Sequence, residues 1–124
     1  MIKEADEELF GLHIDTFHCD RTERAGLLTL LVSDEVRPWI SYIHASDSFR
    51  NIPGLGNIDW GKVGAALQEI SFIGVVTVEV FGQAFAEAVP EIVLGLAESQ
   101  PLDTILKVST TTLRDAGIIA PLEG

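Results

Sequence analysis

Asp15, His44 and Glu79 are three side chains able to share a metal ion, and each stands at or near the end of a short apolar run. The runs are residues 10–15 (Phe-Gly-Leu-His-Ile-Asp), 39–44 (Trp-Ile-Ser-Tyr-Ile-His) and 75–80 (Val-Val-Thr-Val-Glu-Val). Two carboxylates and an imidazole suit Mn²⁺, Mg²⁺, Co²⁺ or Zn²⁺, with coordination positions left over for substrate oxygens. Taken singly, each residue has a plainer role, since a strand-end Asp or Glu often caps a helix or meets solvent, and a His often serves as an ordinary polar group. Jointly they point to one site, because metal-competent residues at the ends of three successive parallel strands converge on one sheet edge.

That convergence requires the three runs to be parallel strands separated by helices. Residues 22–36 have a helix-forming composition with Leu27, Leu28, Leu30 and Leu31, and Pro38 stops them. Residues 45–57 are dense in Ser, Asn, Asp, Gly and Pro, which marks a long loop where Gly54 and Gly56 permit tight backbone geometry. Asp59 suits a helix N-cap, Trp60, Val63, Leu67 and Ile70 recur behind it at helical spacing, and Gly74 follows the end. The run 75–80 is short and β-branched, as strands are. Beyond it the pattern is helical, over 83–89, 90–99 and 101–116, with Pro90 and Pro101 suited to first turns and Gly117 to a helix terminus. Strand, helix, strand, helix, strand, helices is the order of parallel βαβ units, and it predicts an α/β fold in a single domain over 1–124.

A chain of 124 residues suffices for one domain with its own core. With 47% hydrophobic and 22% charged residues it has the composition of a folded protein, not a disordered one. Eight Lys and Arg against 19 Asp and Glu give a net charge of −11, a field that repels phosphate backbones and anionic membranes and attracts divalent cations. No nucleic-acid or membrane partner is therefore expected. No apolar run approaches the roughly 20 residues of a membrane helix, the start is too acidic for a secretory signal, and the single Cys19 forms no internal disulfide. The expected location is the cytoplasm.

Four segments carry a resemblance: Leu-His-Ile-Asp-Thr-Phe-His (12–18), His-Ala-Ser-Asp-Ser-Phe-Arg (44–50), Pro-Gly-Leu-Gly-Asn-Ile-Asp-Trp (53–60) and Val-Thr-Val-Glu-Val-Phe (76–81). In this order they resemble the sugar phosphate isomerase/epimerase family, xylose isomerase-like TIM barrels that include D-tagatose and D-psicose 3-epimerases and inosose dehydratases. The resemblance covers 9–81 closely and the tail loosely. It implies a partial (β/α)8 TIM barrel, about three βα units of its carboxyl-terminal part. It implies metal ligation by Asp15, His44 and Glu79, contacts to substrate hydroxyl or carbonyl groups from His18 and Arg50, and a catalytic duty for Glu79. The implied activity is that of an isomerase or epimerase on a sugar or sugar phosphate, moving a proton next to a carbonyl through a metal-bound enediolate. On residue grounds alone the plainer readings stay open: His18 bonding a loop carbonyl, Arg50 pairing with Asp47 at the surface, Pro-Gly-Leu-Gly as a turn. His13 shares a strand face with Asp15 by alternation and reads as packing or hydrogen bonding, as Trp39 and Trp60 read as packing.

The resemblance also implies parts for which this sequence has no counterpart. The family's barrel has eight strands, and its fourth metal ligand, a Glu that is also the second proton-transfer carboxylate, belongs to strand four. Glu4, Glu7 and Glu8 lie in an acidic leader and not at a strand end. A truncated enzyme, weakly active or inactive alone, is the expected consequence. Three strands leave open edges and an uncovered face, so a homo-oligomer or a missing barrel half is the expected partner. The alternative is a non-catalytic oligomeric half-barrel, a sugar-binding or scaffold fragment. The related barrel of endonuclease type four fits less well, because the acidic balance opposes DNA and its extra His and Asp ligands are not evident.

Overall fold

The computed structural model describes residues 10–23, 26–81 and 100–120. Strand β1 (Leu12–Asp15) passes directly into helix α1 (Thr16–Thr22), because the Asp15 side chain accepts the His18 amide at 3.0 Å and caps the helix. Helix α2 (Gly26–Val32) and a 3-10 turn (Arg37–Trp39) lead into strand β2 (Ile40–Ala45). A second 3-10 turn (Ser48–Arg50) lies in the loop before helix α3 (Trp60–Glu69), and strand β3 (Val75–Val78) and helix α4 (Leu102–Asp115) complete the order.

The three strands form a parallel sheet in the order β1-β2-β3, a partial α/β arrangement whose strands neighbour one another in chain order. Register sets Asp15 beside His44 and His44 beside Thr77. Glu79 lies one residue past β3, yet its amide donates to the Ala45 carbonyl at 3.0 Å, so the ladder carries on to it. Alternation then sorts the side chains between the two faces. Ile14, Ile43 and Ala45 enter a core with Leu31, Val63 and Leu113 of the helices. His13, Tyr42 and His44 share the opposite face, where their rings meet edge to face.

One side chain rivets the first two strand ends together. Thr16 is fully buried, and its Oγ1 donates to the Ser46 carbonyl at 2.7 Å and accepts the Ser46 amide at 3.0 Å. On the far side, Gly64 lets α3 approach the end of α4 so closely that a Cβ there would strike the Ala116 carbonyl.

The expected helix over 22–36 is the main correction to the element order. A separate helix that the sequence pattern does not predict, Thr16–Thr22, comes first, and a shorter helix, Gly26–Val32, stands within the expected span. Asp15 starts the first at once. Gly26, at φ 79°, begins the second, and after Val32 the Ser33 hydroxyl accepts the Glu35 amide at 3.3 Å and competes with continued helix. Asp59 caps α3 by accepting the Lys62 amide at 3.1 Å, and Gly117, at φ 71°, terminates α4, both as the sequence predicts. Strand β2 begins one residue later than expected, with Trp39 in the preceding turn, and β3 ends at Val78. The helices expected over 83–89 and 90–99, and the acidic leader with Glu4, Glu7 and Glu8, lie outside the described residues. Among the described residues no helix is long and apolar enough to cross a membrane.

Candidate metal centre

Asp15, His44 and Glu79 each offer one donor atom, and the three atoms lie within 4.8 Å of one another. Donors about 2.0–2.2 Å from a shared first-row cation stand at most about 4.4 Å apart, so a few tenths of an ångström of closure would let all three grip one ion. The donor set and its spacing therefore fit a divalent metal. Strand register produces the cluster: Asp15 and His44 are paired neighbours, and Glu79 extends the third strand on the same face. His44 Nδ1 stands 3.5 Å from Glu79 Oε2.

Asp15 divides its two oxygens between two tasks. Oδ1 caps α1 through the His18 amide, while Oδ2 faces the site and accepts Arg50 Nη1 at 2.6 Å. The same Nη1 donates to Glu79 Oε2 at 2.5 Å, and Nη2 donates to His18 Nε2 at 2.5 Å. Arg50 is 4% exposed, with its Cζ 4.6 Å and 4.8 Å from the ring centroids of Phe17 and Phe81. Two aromatic faces and two carboxylates thus compensate a guanidinium withdrawn from water. Partial burial pushes the Asp15 carboxyl up, but the hydrogen bonds from Arg50 and the His18 amide, with the Arg50 charge, outweigh it and hold the group below the usual aspartate range. The thiol of Cys19, half-buried on α1, is pushed up by burial and by the Glu23 and Asp15 charges, which favours its protonated form.

All five residues singled out from sequence come together here. The Asp47 pairing open for Arg50 does not occur, because Asp47 is buried elsewhere and accepts only N–H groups of its own loop and of Trp60. His18 meets Arg50 through its ring and not a loop carbonyl. His13 stands with its ring centroid 3.9 Å from that of His44, a packing role as expected, and Tyr42 Oη bonds Thr77 Oγ1 at 2.6 Å on the same face. Sequence reasoning missed Asp47 and Thr16. The signal for Asp47 was present, since an Asp opening a Gly-rich loop is well placed to collect free amides.

Residues 1–100 match the family model of the xylose isomerase-like TIM barrel. The chain belongs to that family. Among curated relatives, L-ribulose 3-epimerase from Methylomonas sp. (strain DH-1) is 30% identical over 76 residues, 61% of this chain and 26% of that protein. D-psicose 3-epimerase from Agrobacterium fabrum is 29% identical over 83 residues, 64% of this chain and 27% of that protein. The chain thus spans about a quarter of the length of these relatives. The structure of D-psicose 3-epimerase with D-tagatose from Clostridium cellulolyticum H10 superposes with a TM-score of 0.69 at 20% identity, covering 94% of this chain and 40% of that one. D-allulose 3-epimerase from Methylomonas sp. superposes with a TM-score of 0.61 at 23% identity, covering 86% and 36%. At these identities the superpositions show a shared fold, and the three parallel strands are a segment of the xylose isomerase-like barrel.

Proposed function

We propose that this chain holds a divalent metal, Mn²⁺, Mg²⁺, Co²⁺ or Zn²⁺, through Asp15, His44 and Glu79, and serves proton transfer next to the carbonyl of a ketose or ketose phosphate. The observation that carries this reading is the gathering of the three donor atoms within 4.8 Å, beside an arginine that bridges two of them. Names of the relatives support the same class, since they are 3-epimerases of ribulose and psicose.

When bound, the cation would supply Lewis-acid polarisation of substrate oxygens. Glu79 is the base in this proposal. Its carboxylate takes the proton from the carbon beside the carbonyl, the C–H electron pair becomes a carbon–carbon double bond, and the carbonyl oxygen gains the negative charge. Arg50 stands beside the cluster with a fixed positive charge, and His18, exposed on α1, has its other ring nitrogen to offer to a hydroxyl, since Nε2 meets Arg50. Epimerisation also needs a proton returned to the opposite face. Among the described residues no further carboxylate joins the group, so the second carboxylate comes from another copy of the chain or from further barrel strands. A homo-oligomer, in the cytoplasm where a thiol such as Cys19 stays reduced, completes the proposal.

The test uses the full chain with Mn²⁺ and D-psicose or D-tagatose in deuterated water. Calorimetry is expected to show Mn²⁺ binding that Asp15→Ala abolishes, and NMR to show slow deuterium uptake at C3 that Glu79→Gln abolishes. Light scattering is expected to give a mass above that of one chain. A second reading, a metal-binding scaffold without catalysis, is favoured by the absence, among the described residues, of a further carboxylate to share proton transfer with Glu79. Mn²⁺ binding with no deuterium uptake would establish it, and no Mn²⁺ binding would overturn both.

A further inference from the structure

Arg50 is the most buried charge of the site, yet a loop holds it and not a helix or strand. Phe49 and Arg50 lie at φ 61° and 59°, a region that L residues occupy only where the surroundings over-determine the backbone. One carboxylate is central to them, while the Phe81 amide adds a bond to the Arg50 carbonyl at 3.3 Å. Asp47 is fully buried; its Oδ1 accepts the amides of Ser48 at 2.8 Å and Ile58 at 3.0 Å, and its Oδ2 accepts the Gly54 amide at 2.8 Å and Trp60 Nε1 at 2.7 Å. Its main chain closes the turn as well, with its carbonyl accepting the Arg50 amide at 3.1 Å and its amide donating to the Asn51 carbonyl at 3.0 Å. Gly56 approaches so closely that a Cβ there would strike the Asp47 carboxylate.

We propose that Asp47 is the positioning residue for Arg50: it fixes the left-handed turn that aims the guanidinium at Asp15 and Glu79. Asp47 gathers amides from three points of the loop and anchors them to α3 through the Trp60 indole. Neutralising it releases the turn, and Arg50 relaxes toward ordinary negative φ and away from the carboxylates. The four donors match an ionised carboxylate and no neutral side chain, because an amide such as Asn offers one acceptor oxygen in place of two. This role concerns the metal-free chain, so it goes beyond the metal reading and does not depend on it.

The experiment reads Arg50 directly. In ¹H–¹⁵N spectra of the metal-free full chain, ion-paired guanidinium protons rotate and exchange slowly, and Arg50→Met assigns their signals by deleting them. Asp47→Asn removes the charge and one acceptor. Trp60→Phe deletes a single donor, keeps a ring against α3, and stands in should the first variant not fold. Either variant is expected to broaden the Arg50 signals beyond detection while the amide signals of β1, β2 and β3 stay in place. Mn²⁺ affinity should move severalfold toward that of Arg50→Met, with no further change when the substitutions are combined. A folded variant with Arg50 signals of wild-type intensity, or an equal shift in Mn²⁺ affinity with and without Arg50, would overturn the proposal. Failure of the wild type to bind Mn²⁺ would remove the metal reading alone, since the guanidinium signals are recorded without metal.

Discussion

Replacing Arg50 with Met keeps a long side chain between Phe17 and Phe81 but removes the cation that Asp15 and Glu79 share. The Arg50 side chain is 5% exposed, against 14% for Asp15 and 28% for Glu79, so both carboxylates stay partly shielded from water when it is gone. Removing one partner of a fully buried pair costs about 3–5 kcal/mol, and partial solvent access at Glu79 brings the expectation to about 2–3 kcal/mol. In a domain of this size that lowers the midpoint of thermal unfolding by about 10 °C. The assay is urea denaturation in metal-free buffer, repeated with Mn²⁺. Because no guanidinium then competes for the carboxylates, the variant is expected to bind Mn²⁺ about tenfold tighter, equivalent to about 1.4 kcal/mol, and to regain part of its lost stability on metal addition. A metal-free stability within about 0.5 kcal/mol of wild type, a difference typical of a surface substitution, would refute the claim that Arg50 neutralises this cluster.

Thr16→Val leaves the buried Ser46 amide and carbonyl without their side-chain partner, for a loss of about 2–3 kcal/mol in denaturant unfolding; an unchanged midpoint would show that the rivet between the strand ends is dispensable. The Asp15 carboxyl is held below its ordinary value, so its contribution to metal-free stability is complete above about pH 3.9 and fades as the pH falls through the lower native value. Asp15→Asn should flatten the acid limb of the stability profile, and an identical limb would argue against the Arg50 pairing in solution. Gly64→Ala forces α3 away from the Ala116 carbonyl and should cost about 1–3 kcal/mol, measured by thermal melting, whereas a neutral effect would place the end of α4 elsewhere.

The strand ends are legible in the sequence because three apolar runs finish in metal-competent residues, and parallel pairing leaves little freedom in where those residues meet. Asp59 and Gly117 are legible for a similar reason, since each marks a helix boundary by local chemistry alone. Helix α1 is not, because Thr-Phe-His-Cys-Asp-Arg-Thr has poor helix propensity and is held by the Asp15 cap and by burial of Phe17. The Arg50 pairing escapes as well. Its nearest acidic residue in sequence is Asp47, three positions back, whereas its actual partners are 35 and 29 positions away and are brought to it by the sheet. The role of Asp47 needs the same tertiary information, because its donors come from Ser48, Gly54, Ile58 and Trp60, which only the folded loop gathers.

The most direct measurement is a crystal of the full chain grown with Mn²⁺ and recorded near the manganese absorption edge. A single anomalous peak is predicted about 2.0–2.3 Å from one oxygen of Asp15, one ring nitrogen of His44 and one oxygen of Glu79. Anomalous density bound away from these three residues, or none at saturating Mn²⁺, would contradict the account.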